Sequence, residues 1–177
     1  VGGVFRHVRD LVEAQHGAGH AVGLICDSST GGVFEQGLLD SVRPFLTLGL
    51  RRFPMRRNIA PSDIAATLRM MREVRSLHPD ILHAHGAKGG AYARIIGTLL
   101  RASGVRVARI YSPHGGSLHY DAKSRSGRAY FAAERLMERM TDAFVFVSQF
   151  EADTYAAKVG KPRKLAGKIA AAHRRRQ

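Results

Sequence analysis

The chain has 177 residues, 45% hydrophobic and 24% charged, which is typical of a soluble globular protein with one sizeable core. No apolar run approaches the roughly 20 residues that a membrane-spanning helix needs, and no secretory signal sequence is visible. The single cysteine, Cys26, lies in an apolar stretch, which predicts a reduced core thiol in a cytoplasmic protein rather than a disulfide or a catalytic nucleophile.

The formal net charge of +14 is unevenly distributed along the chain. The last 17 residues contain seven Lys or Arg and no acid, and a second basic cluster is segment 50–58, LRRFPMRRN. Arginine pairs around apolar side chains suit peripheral contact with an anionic membrane, and they equally suit a solvated loop. Nothing resembles a helix-turn-helix, a zinc finger or an RNA-binding aromatic platform, so we expect no nucleic-acid partner.

The first half of the chain alternates helical and strand patterns. In order, we predict a helix over 3–19 that glycines end, a strand over 21–26, a second strand that includes 45–48, and a helix from Ser62 or Asp63 to Pro79. The apolar face of the last helix is predicted to consist of Ile64, Leu68, Met71, Val74 and Leu77.

The second half continues the alternation. We predict a strand over 80–85, a helix over about 90–102 closed by Gly104, a strand over 105–112, a long polar loop, a helix over 130–140, a strand over 142–148 and a helix from 149. Strands separated by helices indicate right-handed βαβ units and a parallel sheet. The predicted fold class is therefore α/β, a doubly wound, Rossmann-like parallel sheet in a single domain.

The two ends of the sequence differ from this pattern. A glycine pair that enters a helix normally follows the first strand of a doubly wound fold, so we expect that strand to be missing ahead of Val1. Residues 1–160 are predicted to form the domain. Residues 161–177 are predicted to be a basic tail, disordered or weakly helical, that does not continue the sheet and that arose by truncation or a frameshift.

Ligands bind open parallel sheets in the crevice beyond the carboxyl ends of the strands. The candidates there are Gly2 and Gly3 at a helix start, the segment HAHGAK over 83–88, the segment SPHGG over 112–116, and Ser148. Glycines at a helix start allow a phosphate to approach free N–H groups. The spacing is not that of a dinucleotide fingerprint.

The histidines could ligate a metal, transfer protons or serve the structure. His83 and His85 lie on the same side of a strand, but no further zinc ligands are apparent, so we expect no metal. We expect His83 to make a structural hydrogen bond. His85 and His114 each precede a glycine, where a neutral imidazole can accept a proton or bind a sugar hydroxyl. Lys88 could bind an anionic acceptor group.

Five segments in this order resemble the N-terminal half of a GT-B retaining glycosyltransferase: GGVFRHV, GHAVGLIC, DILHAHGAKGG, YSPHGG and AERLMERMTDAFVFVS. More narrowly, they resemble the group-1, family-4 bacterial enzymes that build polysaccharides, lipopolysaccharide or glycolipids. The resemblance covers about residues 2–158. It implies transfer of a sugar from an NDP-sugar to a saccharide or lipid-linked acceptor, without a metal or other cofactor.

The resemblance also implies roles for residues. His114, in the S-P-H-G element, is implied to be catalytic, near the transferred sugar. Gly2 and Gly3 are implied to approach the donor diphosphate. Acceptor contacts are implied for His85, Lys88, Gly115 and Ser148, and Glu134 matches an acidic position that we expect to be structural. The segment Ser148 to Glu151 matches an S-x-x-E element that leads toward the interdomain linker.

The C-terminal domain of such enzymes holds most of the nucleotide-sugar site and is not found in these 177 residues, so we expect this chain alone to be inactive. Two alternatives remain open. One is a non-catalytic binding domain that contacts an anionic membrane or a partner through its basic loop. The other is a different Rossmann-like enzyme, such as a sugar-nucleotide epimerase.

Overall fold

The structure, a computed structural model, describes residues 3–29, 31–55, 62–162 and 165–168; for 62–64, 66 and 165–168 only the backbone is described. The described residues form two compact units, 1–77 and 78–177, and each is described by itself. Each unit contains helices and its own parallel sheet. The predicted α/β class, a Rossmann-like fold with parallel strands, is confirmed.

The described residues of the first unit form three α-helices, two strands and a short 3-10 helix: α1 (Gly3–Gly17), β1 (Gly23–Asp27), α2 (Val33–Val42), the 3-10 helix Arg43–Phe45, β2 (Gly49–Phe53) and α3 (Ser62–Ser76). Strands β1 and β2 pair in parallel, with Gly23 opposite Gly49 and Asp27 opposite Phe53.

Helix α1 ends where its glycines predict. Gly19 adopts a left-handed φ of 86°. Its N–H donates to the carbonyl of His16, and the N–H of His20 donates to the carbonyl of Gln15. These two bonds satisfy carbonyls that the helix end would otherwise leave unpaired.

The predicted strand over 45–48 is wrong. Phe45 ends the 3-10 helix, and the turn that follows is closed by the N–H of Gly49 on the carbonyl of Leu46. Phe45 and Leu46 are apolar because they pack, from a turn, into the core of the first unit with Val12, Val22 and Val42. The strand starts only at Gly49, whose φ of 81° redirects the chain.

The basic segment 50–58 is also different from the prediction, because its first four residues belong to β2 rather than to a loop. Arg52 donates to the carbonyl of Asp27 and to the side chain of Gln36, and Arg51 lies 3.5 Å from a carboxylate oxygen of Glu73. Half of the predicted basic surface is therefore engaged within the unit. The other pair, 56–57, lies outside the described residues.

The buried face of α3 matches the predicted one at Val74 and differs from it at Leu68, while the side chain of Ile64 lies outside the described residues. Met70 and Val74 are buried, whereas Leu68 is 42% exposed. On β1, Cys26 is half-buried, and burial raises the pKa of its thiol. A thiol that resists ionisation suits the predicted non-catalytic role.

As far as the second unit is described, it contains three α-helices, a 3-10 helix and a four-stranded sheet: β3 (Ile81–His85), α4 (Gly86–Ala102), β4 (Ala108–Ser112), the 3-10 helix Gly116–His119, α5 (Arg125–Glu138), β5 (Ala143–Phe146), α6 (Gln149–Lys158) and β6 (Leu165–Lys168). The strands run parallel in the order β3-β4-β5-β6. Among the helices described in either unit, none is both long and apolar enough to cross a bilayer.

Three boundaries in this unit differ from the predictions. Helix α4 begins directly after β3, at Gly86, so Lys88 lies in its first turn rather than in a loop. Helix α5 begins at Arg125, because the hydroxyl of Ser124 accepts a hydrogen bond from the N–H of Gly127 and caps it. Strand β6 pairs with β5, so the prediction that the tail does not continue the sheet is wrong for 165–168. The predicted truncation or frameshift stays a prediction.

Aromatic side chains form the core of the second unit. Tyr111, Phe144 and Tyr155 are fully buried, and Phe131 and Phe146 belong to the same cluster. Helix α4 approaches β4 closely at Gly90, where a Cβ atom would lie 2.3 Å from the ring of Tyr111. The small residue at this point sets the distance between the helix that carries Lys88 and the sheet that carries the histidines.

Candidate functional site

The two histidines of β3 lie side by side, as their spacing predicts, with ring centroids 4.3 Å apart. The Nε2 of His83 lies 2.9 Å from the hydroxyl of Ser112 on the neighbouring strand β4. Ser112 is fully buried. This bond links the middle of β3 to the last residue of β4 and suits the structural role that we expect of His83.

His85 has a different partner. Its Nδ1 lies 2.8 Å from Nε2 of His114, and the two ring centroids are 5.0 Å apart. A hydrogen bond between two imidazole nitrogens needs one ring to donate and the other to accept. The pair, hereafter the His85–His114 pair, therefore shares one proton at the carboxyl ends of β3 and β4.

The loop after β4 holds His114 in an unusual backbone conformation. His114 has a φ of 53° and Gly115 a φ of 72°, so two successive residues are left-handed. For a residue with a side chain this conformation costs roughly 1–2 kcal/mol. The N–H of Gly116 donates a hydrogen bond to the carbonyl of Pro113 and closes the turn. Such strain persists only where surrounding contacts fix it, and it is concentrated at functional sites.

The same loop packs against the first turn of α4. A Cβ atom on Gly116 would lie 2.9 Å from the backbone nitrogen of Ala87. Only a glycine allows this approach without displacing backbone. The S-P-H-G-G segment and the start of α4 therefore form one surface, which carries His85, Lys88 and His114.

The family model for Glycosyltransferase Family 4 matches residues 1–166. The chain belongs to glycosyltransferase family 4. A comparison with curated proteins finds none that matches it. Membership supports a glycosyltransferase, and the Rossmann-like α/β fold agrees with that assignment.

The remaining site residues predicted for this family 4 chain are placed as follows. The Nζ of Lys88 is buried and makes no hydrogen bond to any residue of the described ranges. Ser148 is the exposed N-cap of α6. Gly3 is the first residue of α1, in the other unit, and Gly2 lies outside the described residues. The second unit thus brings His85, Lys88, His114, Gly115 and Ser148 to its strand ends. The expectation that no metal binds stays a prediction.

Glu151 contacts the loop that carries His114, a role that the sequence did not predict. One carboxylate oxygen accepts from the N–H of Gly115 at 2.8 Å, and the other accepts from the N–H of Val147 at 2.9 Å. Its own N–H donates to the hydroxyl of Ser148, which caps α6. The S-x-x-E spacing is a signal for this cap. The contact with Gly115, 36 residues away, leaves no local pattern.

Two further side chains hold the other end of the loop. Ser117 donates to Glu134 at 3.4 Å. The ammonium group of Lys158, at the end of α6, donates to the carbonyls of Leu118 and Tyr120. The loop from 113 to 120 is therefore bonded at its amide, hydroxyl and carbonyl groups, which limits the positions open to His114.

Glu134 is the centre of a buried polar network, in line with the structural role expected of it. It is 2% exposed and accepts from Arg94 at 2.9 Å and from the hydroxyl of Tyr111 at 3.0 Å. The guanidinium of Arg94 lies 4.0 Å from the centroid of the Tyr111 ring and donates to the carbonyl of Gly90. Burial, and then the charge of Glu134, raises the pKa of Tyr111 well above its usual value. The hydroxyl therefore remains a hydrogen-bond donor at neutral pH.

Proposed function

We propose that this chain is the acceptor-side half of a retaining glycosyltransferase that moves a sugar from an NDP-sugar to a saccharide or lipid-linked acceptor. The observation that carries the proposal is the His85–His114 pair, held at adjacent strand ends by a strained loop. Family membership supplies the reaction class. The retained configuration, the substrates and a role in bacterial cell-envelope polysaccharide synthesis are part of the proposal.

In the proposed reaction, the bond between the sugar's anomeric carbon and the donor diphosphate breaks, and its electron pair stays on the diphosphate. The acceptor hydroxyl forms the new bond on the same face of the sugar, and its proton passes to the leaving diphosphate. His114 contacts the sugar while the anomeric carbon gains positive charge. A fixed neutral imidazole oriented by its neighbour costs no rearrangement at that moment.

Lys88 has the chemistry of an acceptor contact. Its ammonium group is removed from water and makes no hydrogen bond within the described part of the chain. A buried cation without a partner is unfavourable, so an anionic group, such as an acceptor phosphate or carboxylate, would stabilise it. The donor nucleotide is proposed to bind chiefly to a second domain, and the 177 residues alone are proposed to lack turnover.

A binding and transfer experiment tests the proposal. Calorimetry on the chain with a panel of UDP-, GDP- and ADP-sugars should give little heat, because most donor contacts are assigned to the other domain. The chain joined to a family 4 donor-binding domain should release NDP in the presence of acceptor glycolipids, and NMR of the product should show the donor's anomeric configuration. An inverted product, or micromolar donor binding by the chain alone, would contradict the proposal.

We also propose that the protein acts in the cytoplasm, with peripheral contact at the inner face of the membrane. Two of the four arginines that suggested this membrane contact, Arg51 and Arg52, have partners within the first unit. It now depends on the pair at 56–57, outside the described residues. Flotation with anionic liposomes, before and after replacing that pair with glutamine, is the direct measurement.

A further inference from the structure

We propose that Glu151 is a positioning residue that holds His114 in register with His85 through the backbone of Gly115. The inference rests on the proposed function for its catalytic meaning, but its physical content is independent of activity. Three observations carry it: the burial of the carboxylate, the identity of its two donors, and the conformation of the loop that it contacts.

The carboxylate is committed to the backbone. Glu151 is 5% exposed, and each of its oxygens accepts from a main-chain N–H, that of Gly115 at 2.8 Å and that of Val147 at 2.9 Å. Charge-assisted bonds of this kind are about twice as strong as bonds between neutral groups. The side chain thus ties the end of β5 to the loop that follows β4.

The hydrogen bond from the N–H of Gly115 to Glu151 fixes the backbone next to His114. Gly115 follows His114 directly, and both are left-handed. The peptide plane between them is fixed when its N–H points at Glu151. Without that bond, His114 is free to relax toward negative φ, which is favoured for any residue with a Cβ. Such a rotation would move the imidazole away from the Nδ1 of His85.

Glu151→Gln is the sharpest test, because it preserves the shape of the side chain and removes one acceptor. Its NH2 group would face one of two backbone donors, so one bond is lost while the side-chain volume stays the same. Asp153→Asn is the matched control, since it makes the same chemical change at an exposed carboxylate on the same helix. Ser148→Ala weakens the cap of α6 while leaving the Glu151 carboxylate in place.

The measurements are amide hydrogen exchange and ring ¹⁵N NMR on the whole 177-residue chain. In Glu151→Gln, exchange of the Gly115 amide should accelerate by about tenfold or more, a factor of ten corresponding to about 1.4 kcal/mol. The scalar coupling across the hydrogen bond between Nδ1 of His85 and Nε2 of His114 should weaken or vanish. Asp153→Asn should change neither quantity, and Ser148→Ala should speed exchange in α6 while leaving the histidine coupling intact.

Two results would overturn the proposal. One is an unchanged hydrogen-bond coupling between His85 and His114 in Glu151→Gln, whether or not exchange at Gly115 becomes faster. The other is loss of the coupling in Ser148→Ala to the same extent, which would make helix stability rather than the carboxylate responsible. Neither readout requires transfer, so a failure here is distinguishable from a failure of the proposed glycosyl transfer.

Discussion

The Nδ1 of His85 lies 2.8 Å from the Nε2 of His114, and this bond joins the ends of two neighbouring strands. The pair can hold its bond only while one of the two facing nitrogens lacks a proton. A histidine on a flexible loop would need to find this position in each catalytic cycle. Here the loop is bonded to Glu151, Glu134 and Lys158 before any substrate arrives.

Removing His114 tests its proposed place in the reaction. We expect His114→Ala, in a protein that carries out transfer, to lower kcat by at least about 10²-fold, the usual minimum for losing a positioned catalytic group. The free energy of unfolding should change little, because the imidazole is only half-buried and alanine keeps a Cβ at the same left-handed position. Turnover assays and urea unfolding measure the two quantities.

The control for this change is His119→Ala, on the same loop. His119 is exposed, and its ring lies tilted against that of Tyr120, with centroids 4.3 Å apart. Its removal should leave kcat within about twofold. Turnover retained in His114→Ala would remove that residue from the catalytic machinery.

Two glycines of α4 give a matched pair for packing. A methyl group at Gly90 would meet the ring of Tyr111, which is fully buried and bonded to Glu134 and so has no room to move. We expect Gly90→Ala to lower the free energy of unfolding by about 1–3 kcal/mol, as overpacking does. A Cβ at Gly89 would meet nothing within 4 Å. Gly89→Ala should therefore be neutral or stabilise by up to about 1 kcal/mol, since alanine favours helix. Equal changes in the free energy of urea unfolding for both variants would show that the close approach of Gly90 to Tyr111 does not determine stability.

The periodic parts of this fold could be predicted from sequence, and its long-range contacts could not. Helix α1 and strand β3 follow from apolar spacing and glycine stops, which are local signals. The segment 45–48 looked like a strand because an apolar run does not reveal whether it pairs with a strand or packs from a turn. Helix α2 is not among the predicted elements. Its first two apolar residues, Val33 and Phe34, are 93% and 74% exposed, so they do not belong to a buried apolar stripe.

The same distinction applies to the site. His85, His114 and Lys88 could be found because each follows a strand whose end is visible in the sequence. The contact between Glu151 and Gly115 spans 36 residues, and that between Arg94 and Glu134 spans 40. Residues that position a loop can lie far from it in the sequence, so no local pattern marks the contact. Their roles therefore become apparent only from the tertiary structure.

Two buried tyrosines should respond in opposite directions to loss of their hydroxyl groups. The hydroxyl of Tyr111 donates to Glu134, so Tyr111→Phe should cost about 1–3 kcal/mol by leaving a carboxylate oxygen with one donor fewer. The hydroxyl of Tyr155 is buried and makes no hydrogen bond to the residues that the structure describes. Tyr155→Phe should therefore be neutral or stabilise the chain by about 1 kcal/mol. Denaturant unfolding at pH 7 separates the two outcomes, and a comparable loss in both variants would contradict this assignment.

The tyrosines also predict an alkaline limit to stability. Burial raises the pKa of both hydroxyls above the value near 10 that an unfolded tyrosine has. The unfolded chain then ionises first, so stability is complete below about pH 10 and falls as the pH rises beyond it. Each phenylalanine variant should show a shallower fall than the parent. An unchanged slope in both would rule out the tyrosines as its cause.

Asp142 predicts the acid limit. Its carboxylate accepts three hydrogen bonds from Arg109, through the backbone N–H and the guanidinium, and two more from the guanidinium of Arg101. The side-chain bond from Arg109 is the largest cause that lowers the pKa of this carboxyl far below its usual value. A depressed folded pKa stabilises the chain above the unfolded value of about 4, and this contribution is lost as the pH falls below it. Asp142→Asn should therefore be less stable at pH 7 and lose less on acidification. Asp80→Asn, at an exposed carboxylate before β3, should keep the parent's acid profile in thermal unfolding between pH 2 and 7. A parent-like acid profile in Asp142→Asn would show that other carboxyl groups set the acid limit.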